Sequence, residues 1–222
     1  VLTGAIPAEA MMQSDLGLGN TGYLLVYMSV YVVMMGLPMV LAALLFKKRI
    51  QPFGPAKKVS PLVFIGGVLA GMALCVVANV VASYLMAFMN AFGIPEPAMP
   101  ALMENTPVSF WMNMLVFAVL PAILEEMVFR GYLLQSLRPY GDRTALLVSS
   151  LLFALMHGNV LQVPFAFIVG LVLGYVVIET NNFWLAVCIH FANNAMSNIL
   201  QYLQLPMESA LEKNRMTTIV FA

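Results

Sequence analysis

The sequence predicts an all-α fold, a polytopic transmembrane helical bundle with about 6 to 7 spans. Of its 222 residues, 62% are hydrophobic and only 9% are charged, whereas about a quarter of the residues of a soluble domain carry charge. Apolar runs long enough to cross a bilayer recur along the chain, with short polar or basic segments between them. No internal repeat divides it, so we interpret residues 1–222 as a single integral membrane domain.

Hydropathy alone identifies the first two spans, about 23–46 and about 62–89. The segment 47–58 between them holds five of the ten Lys and Arg residues. By the positive-inside rule we expect this loop to be cytoplasmic. The second span carries three glycines that would let a neighbouring helix approach closely: Gly66, Gly67 and Gly71.

The remaining spans form the region that contains the polar motifs, 108–204. A basic turn, 138–143, follows the third span, and we expect it to be cytoplasmic too. The fourth segment is short and meets Gly158, which predicts a short or broken helix near His157. The apolar residues 216–222 suggest one more helix. The third to sixth segments are about 108–137, 144–157, 163–178 and 183–203.

Two carboxylates and an arginine interrupt the third span, at Glu125, Glu126 and Arg130. Ionisable side chains inside a bilayer are costly, so each one there is a candidate for function and needs a partner. Glu126 and Arg130 are four residues apart and share a helix face, whereas Glu125 is rotated by about 100° from Glu126. We therefore expect Arg130 to neutralise Glu126 and Glu125 to remain for chemistry.

The chain has only two histidines, His157 and His190, and both lie in apolar segments. Each has a companion at helical spacing: Phe153 precedes His157 by four residues, and Asn194 follows His190 by four, with Asn193 as the i+3 alternative. A single histidine in a helical bundle is more often a core residue. Two with such companions, in a chain that also has intramembrane carboxylates, indicate a polar site.

Counting along the helices places these groups at similar depth. Glu125 and His157 each lie sixteen residues from Gly141, so an antiparallel hairpin would bring them to one level. His190 lies nearer its own turn, and all three converge if the polar hairpin end projects roughly 10 Å beyond the ~30 Å hydrocarbon core. We expect a water-filled chamber in the cytoplasmic half of the bilayer.

These residue types suit hydrolysis of a peptide or ester. A carboxylate with apolar walls around it can take a proton from water as a general base. Imidazole and amide groups can donate hydrogen bonds to an oxyanion. Nucleophilic catalysis by serine or cysteine fits less well, because motif spacing puts neither beside a histidine.

Three motifs in order carry a resemblance to a known family. Glu125-Glu-Met-Val-Phe-Arg130, Phe153-Ala-Leu-Met-His157 and His190-Phe-Ala-Asn-Asn194 resemble the EExxxR, FxxxH and HxxxN motifs of the CAAX prenyl endopeptidase and bacteriocin-processing (CPBP, or Abi) family of intramembrane proteases. Together the three motifs contain both histidines of the chain. Residues 1–107 contain no such motif, and only their hydropathy is informative.

The resemblance implies a role for each motif residue. Glu125 would activate the water, His157, His190 and Asn194 would line the site and stabilise the intermediate, and Glu126 and Arg130 would support the helix. Family members are usually described as metalloproteases. Glu125, His157 and His190 could form a three-ligand zinc site, but Glu125 as a ligand would leave no obvious base, so we favour glutamate catalysis without metal.

The expected partners are the lipid bilayer and a peptide or membrane-protein substrate. The chain's zero net charge gives no electrostatic footprint for nucleic acid, and its compact loops suggest a prokaryotic plasma membrane. Two alternatives stay open. One is a non-enzymatic bacteriocin-immunity or adaptor protein with the same fold, and the other is a proton-coupled transporter in which the carboxylates and histidines form a relay.

Overall fold

A computed structural model describes residues 19–45, 59–93, 107–158, 160 and 162–213. These residues form helices joined by turns, and no strand occurs among them, which confirms the all-α prediction. The basic segment 47–58 lies outside the described residues. The six helices, numbered in chain order, are α1 (Gly19–Leu45), α2 (Pro61–Ala91), α3 (Pro107–Tyr140), α4 (Asp142–Met156), α5 (Val163–Thr180) and α6 (Phe183–Lys213).

Four of the described helices, α1, α2, α3 and α5, are long and apolar enough to cross a membrane. The predicted count of about 6 to 7 spans is not confirmed. With 15 residues, α4 rises only about 22 Å, less than the ~30 Å of hydrocarbon. The α6 helix is long, but histidine, asparagine and glutamine side chains interrupt its apolar sequence. The further helix suggested at 216–222 lies outside the described residues.

Two tight turns make α3 antiparallel to α4 and α5 antiparallel to α6. Gly141, between α3 and α4, has a φ of 109°, in the region that glycine adopts without steric cost. Asn181 takes a left-handed conformation between α5 and α6, and Asn182 Oδ1 accepts a hydrogen bond of 3.1 Å from the Leu185 backbone N–H. Asn182 thereby caps the first turn of α6.

The predicted short helix near His157 is present. The α4 helix ends at Met156, and Gly158 follows it with a φ of 64°. Its short length places His157 directly after the end of α4, where the exposed histidine lines a cavity. The sequence break at Gly158 therefore positions a candidate site residue.

Glycine contacts bring the helices close together, as expected for membrane bundles. A Cβ on Gly71 of α2 would lie 2.7 Å from the Ile189 side chain of α6, and one on Gly67 would lie 3.0 Å from Leu185. The third predicted glycine, Gly66, faces open space. Packing of α2, α5 and α6 with one residue each from α3 and α4 forms the largest apolar cluster among the described residues, with buried residues Cys75, Ala78, Leu134, Ala145, Val169, Leu173, Val177, Leu185, Ala186 and Ile189.

The α3 helix is not a regular α-helix throughout. Two π-helical segments, Leu115–Val119 and Met127–Leu134, flank the α-helical stretch Leu120–Glu126 that ends with the two glutamates. Such segments are rare and are frequent at functional sites, because the wider turn redirects the side chains. The second π segment contains Arg130 and therefore sets how the arginine meets the neighbouring helices.

Candidate active site

A cavity of about 490 Å³ lies between α1, α3, α5, α6 and the end of α4. The four residues predicted to be catalytic, Glu125, His157, His190 and Asn194, all line it, although 69 positions separate the first from the last. Phe153 and Asn193 line the cavity as well, whereas Glu126 and Arg130 do not. The fold thus divides the predicted residues into a cavity group and a buried group.

The buried group is the ion pair that the spacing predicts. Arg130 Nη1 lies 2.6 Å from Glu126 Oε1, and both side chains are completely buried. Arg130 Nη2 donates a 3.0 Å hydrogen bond to the backbone carbonyl of Gly170 on α5. The guanidinium also lies 4.4 Å from the ring centroid of Phe153 on α4, in cation–π geometry. Arg130 therefore links α3 to both α4 and α5.

Glu125 has a different environment from its neighbour. Its side chain is 8% exposed and lines the cavity. The hydroxyl of Tyr31, on α1, donates a hydrogen bond to Glu125 Oε1. Glu125 Oε2 lies 3.8 Å from His190 Nε2 and has no hydrogen-bond partner among the described residues. Tyr31 thus holds Oε1 in place, whereas Oε2 is buried without a hydrogen bond.

His190 lies between the two carboxylates. Its Nδ1 is 2.9 Å from Glu126 Oε1, and its Nε2 faces Glu125. Because an ionised carboxylate only accepts hydrogen bonds, His190 Nδ1 carries the hydrogen and donates a hydrogen bond to Glu126 Oε1. Glu126 Oε1 therefore contacts both Arg130 and His190. The sequence spacing does not predict the contact with His190.

His157 is the most exposed of the four predicted catalytic residues. Its Nδ1 lies 3.0 Å from the backbone oxygen of Phe153, so Nδ1 is the protonated donor there too. The Phe153 ring meets the His157 ring edge to face, with centroids 5.1 Å apart, and the His190 ring at 5.9 Å. Phe153 thus contacts both imidazoles and Arg130.

Asn193 and Asn194 interact with each other. Asn193 Nδ2 donates a hydrogen bond of 3.2 Å to Asn194 Oδ1. With its oxygen engaged, Asn194 presents its NH₂ group as a donor in the cavity. The structure shows no hydrogen bond between His190 and Asn194 among the described residues, so their i, i+4 relation puts them on one wall rather than in contact.

The residues fit a zinc ion only in part. Each histidine donates through Nδ1 to a carboxylate or a carbonyl, which leaves Nε2 as the potential ligand atom and is typical of zinc-binding histidines. However, no three His, Cys, Asp or Glu side chains within the described part of the chain are close enough together to hold a metal ion. The proposed trio of Glu125, His157 and His190 does not meet that requirement in this arrangement.

Sequence reasoning missed Tyr31. Tyr31 precedes Glu125 by 94 positions and lies in a span that hydropathy alone defined. No motif spacing connects the two residues. The only available signal was a phenol hydroxyl within a bilayer span, where such a group needs a hydrogen-bond partner.

Comparison with known proteins agrees with the geometry. Residues 107–196 match the family model described as type II CAAX prenyl endopeptidase Rce1-like. This region runs from the start of α3 into α6 and includes all three motifs. No curated protein and no solved structure matched the chain. The predicted resemblance to CPBP proteases is confirmed over this region, which is similar to the type II CAAX prenyl endopeptidase Rce1-like family.

Proposed function

We propose that the protein is an intramembrane endopeptidase that hydrolyses peptide bonds of membrane-associated peptides or proteins, with Glu125 as the base that activates water. The family supports a CAAX-type membrane endopeptidase in general. One observation carries the specific mechanism. Glu125 lines a cavity with both histidines and Asn194, whereas the adjacent Glu126 is paired with Arg130 outside it.

Tyr31 determines which oxygen of Glu125 acts. Its hydroxyl engages Oε1, which leaves Oε2, buried here and without a hydrogen-bond partner among the described residues, to take the proton once a water molecule reaches it from the cavity. The water oxygen bonds to the scissile carbonyl carbon, and the C=O π electrons move to the carbonyl oxygen. The C–N bond then breaks as the oxyanion collapses, and the proton on Glu125 passes to the leaving nitrogen. Proton, water and both peptide fragments are thereby accounted for.

Asn194 and the two histidines stabilise the oxyanion in this mechanism. The Asn194 NH₂ group donates in its existing orientation, because Asn193 occupies its oxygen. Nδ1 of each histidine already donates elsewhere, so either ring can donate to the oxyanion through Nε2 only as imidazolium. Preorganised donors of this kind are usually the largest electrostatic contribution to acyl-transfer catalysis.

The net charge of the buried cluster depends on whether His190 is a neutral imidazole or an imidazolium. Glu125, Glu126 and Arg130 together carry one net negative charge in a buried region, and an unbalanced charge is costly there. An imidazolium at His190, between the two carboxylates, makes the cluster neutral. It also supplies the Nε2 proton that the oxyanion needs.

We further propose that this mechanism is independent of metal. The alternative is zinc held by Glu125, His157 and His190, which would require these side chains to move closer together than they are here. Zinc would supply a Lewis acid and a more acidic water. The two cases are separable with a chelator.

The proposed orientation places the loop 47–58 and the turn 138–143 in the cytoplasm of a prokaryotic cell. His190 lies eight residues beyond Asn182, about 12 Å along α6. This depth supports a position of the reacting groups in the half of the bilayer nearer the turn at Asn182. The chamber continues from there away from the turn, because its α6 lining extends to Gln201.

The function is tested by proteolysis of a tagged membrane-peptide library with purified protein in detergent. Glu125→Gln should abolish cleavage. The matched control is Glu179→Gln, which removes the charge of an exposed carboxylate at the end of α5, outside the cavity, and should cleave as the wild type does. Each sample is assayed with and without a zinc chelator.

The outcomes separate the hypotheses. Cleavage lost only in Glu125→Gln supports a glutamate protease, and cleavage also lost with chelator, then restored by added zinc, supports the metal form. Full activity in Glu125→Gln would overturn the assignment of the base. No cleavage by the wild type of any peptide would favour the adaptor or transporter alternatives.

A further inference from the structure

We propose that four polar side chains on α6 bind the main chain of an extended substrate segment next to the scissile bond. We call them the amide stripe: Asn194, Ser197, Asn198 and Gln201. The proposal rests on the proposed function and adds to it a substrate form, an unwound peptide segment with uncharged side chains. Of these four residues, only Asn194 belongs to one of the three sequence motifs.

The stripe is one continuous face of the helix. Its members recur at i, i+3, i+4 and i+7, the spacing of one helical face. All four line the same cavity as Glu125. Asn198 is only 7% exposed and Asn194 is partly buried, whereas Ser197 and Gln201 are exposed. The stripe leads from the reacting groups along the length of the chamber.

The opposite walls have a different character. Tyr27 from α1, Phe117 and Pro121 from α3, and Phe165 and Val169 from α5 line the cavity with apolar or aromatic surface. Among its described lining residues, Glu125 is the only Asp, Glu, Lys or Arg. The chamber therefore offers the amide stripe on one side and mostly apolar surface on the other, where Gln162 at the start of α5 adds one further amide. It has no charge partner for a charged side chain away from the base.

An extended peptide needs this combination. A transmembrane substrate satisfies its backbone groups within its own helix, and it must give up those hydrogen bonds to expose a peptide bond to water and Glu125. In an apolar chamber the released N–H and C=O groups would be left without partners, at high cost. Asparagine and glutamine amides both donate and accept, so they can replace these bonds.

The contacts within the stripe leave donors and acceptors available to a ligand. Asn194 offers its NH₂ group because Asn193 engages its oxygen. Asn198 Nδ2 donates to the Asn194 backbone oxygen at 2.9 Å, so its Oδ1 remains as an acceptor. The Ser197 hydroxyl donates to the Asn193 backbone oxygen at 3.3 Å and keeps acceptor capacity on its oxygen. The stripe thus presents both kinds of group, as a peptide main chain requires.

The length of the amide stripe predicts how many substrate residues it contacts. Asn194 and Gln201 are seven residues apart, a rise of about 10 Å. An extended chain covers about 3.3 Å per residue, so the stripe spans about three substrate residues. We therefore expect recognition of roughly three residues on one side of the scissile bond.

The test uses a peptide that the wild-type enzyme cleaves and a set of its ester analogues. In each analogue one backbone amide within four residues of the scissile bond, on either side, is replaced by an ester, which removes one N–H donor and keeps the side chain. On one side of the scissile bond, an ester within about three residues should raise KM about fivefold. This is the factor that corresponds to the loss of one net hydrogen bond. The value of kcat should change less than twofold.

Protein variants localise the effect. Asn198→Leu and Gln201→Met remove the amides while roughly keeping side-chain size, and should raise KM for the all-amide peptide. In each variant, one ester substitution that raises KM for the wild type should no longer raise KM, because the side chain that accepted the missing N–H hydrogen bond has been removed. Gln135→Met is the matched control, since Gln135 is on α3 outside the cavity. If Asn198→Leu does not fold, Gln201→Met, at an exposed position, and the ester series still decide the question.

The results distinguish this proposal from the proposed function. Glu125-dependent cleavage with unchanged KM for every ester would overturn the stripe alone. Equal ester effects in wild type and both stripe variants would overturn it as well, because the lost bond would lie elsewhere. Absence of cleavage, or full activity of Glu125→Gln, would overturn the proposed function and the subsite with it.

Discussion

Glu125 and Glu126 are neighbours in sequence but belong to two regions with opposite properties. The buried region, built from Glu126, Arg130 and the Gly170 carbonyl, contains a close ion pair with no exposed side-chain surface. The cavity region contains Glu125, which lines the cavity and accepts a hydrogen bond from Tyr31 rather than from a cation. His190 contacts both. The difference indicates that one turn of α3 separates the support of the site from its chemistry, and mutations should separate them too.

The largest expected effect is on the cavity side. Glu125→Gln should lower kcat at least about 10³-fold, within the range for loss of a general base. It should leave the melting temperature in detergent nearly unchanged, because the Tyr31 hydrogen bond can still form to the amide oxygen. Activity and thermal unfolding are measured on the same preparation. A large drop in melting temperature would mean that Glu125 also belongs to the supporting region.

Arg130→Ala tests the buried side. It leaves Glu126 as a buried carboxylate without its cation, and we expect a loss of about 3–5 kcal/mol in the free energy of unfolding. Unfolding in a denaturing detergent series measures this. The matched variant is Glu126→Gln with Arg130→Met, which removes both charges and should be more stable than Arg130→Ala. Equal stability of the two variants would contradict an ion pair as the cause.

Much of this division was predictable from the sequence. The four-residue spacing from Glu126 to Arg130 within an apolar span is enough to infer the pair, because intramembrane charges need partners. The break at Gly158 likewise indicated a short helix at His157. The predicted roles of the site residues remain predictions until the variants are assayed.

Other features depend on long-range packing, which local spacing does not encode. The Gly170 carbonyl meets Arg130 only because α5 approaches closely, and a Cβ at Gly170 would lie 3.1 Å from the Ser150 backbone. The cation–π contact of Phe153 depends on where α4 crosses α3. Tyr31 belongs to a helix without a motif, so its proximity to Glu125 emerges only in three dimensions.

Tyr31→Phe should have an intermediate effect, confined to the cavity region. The ring stays, and with it the stacking against Tyr27 at 6.1 Å between centroids. The hydrogen bond that fixes Glu125 Oε1 is lost. We expect kcat to fall about tenfold, as for a charge-assisted hydrogen bond of ~1.5 kcal/mol, with KM within twofold.

The control for Tyr31→Phe is Tyr84→Phe, which removes a hydroxyl from an α2 side chain that is 76% exposed. It should leave both kinetic constants as in the wild type. In the Glu125→Gln background, Tyr31→Phe should cause little further loss, because Tyr31 acts through Glu125. A full additional tenfold loss there would show that Tyr31 acts independently.

The smallest effect should come from a second ion pair that has the same spacing but a different environment. Arg138 Nε lies 2.9 Å from Asp142 Oδ1 at the turn after α3, also four residues apart, with side chains 30% and 50% exposed. Because water solvates both groups, Arg138→Ala should cost under about 1 kcal/mol, the usual contribution of exposed pairs. The same unfolding assay compares it with Arg130→Ala. A loss as large as that of Arg130→Ala would mean that burial does not explain why the first pair stabilises the protein.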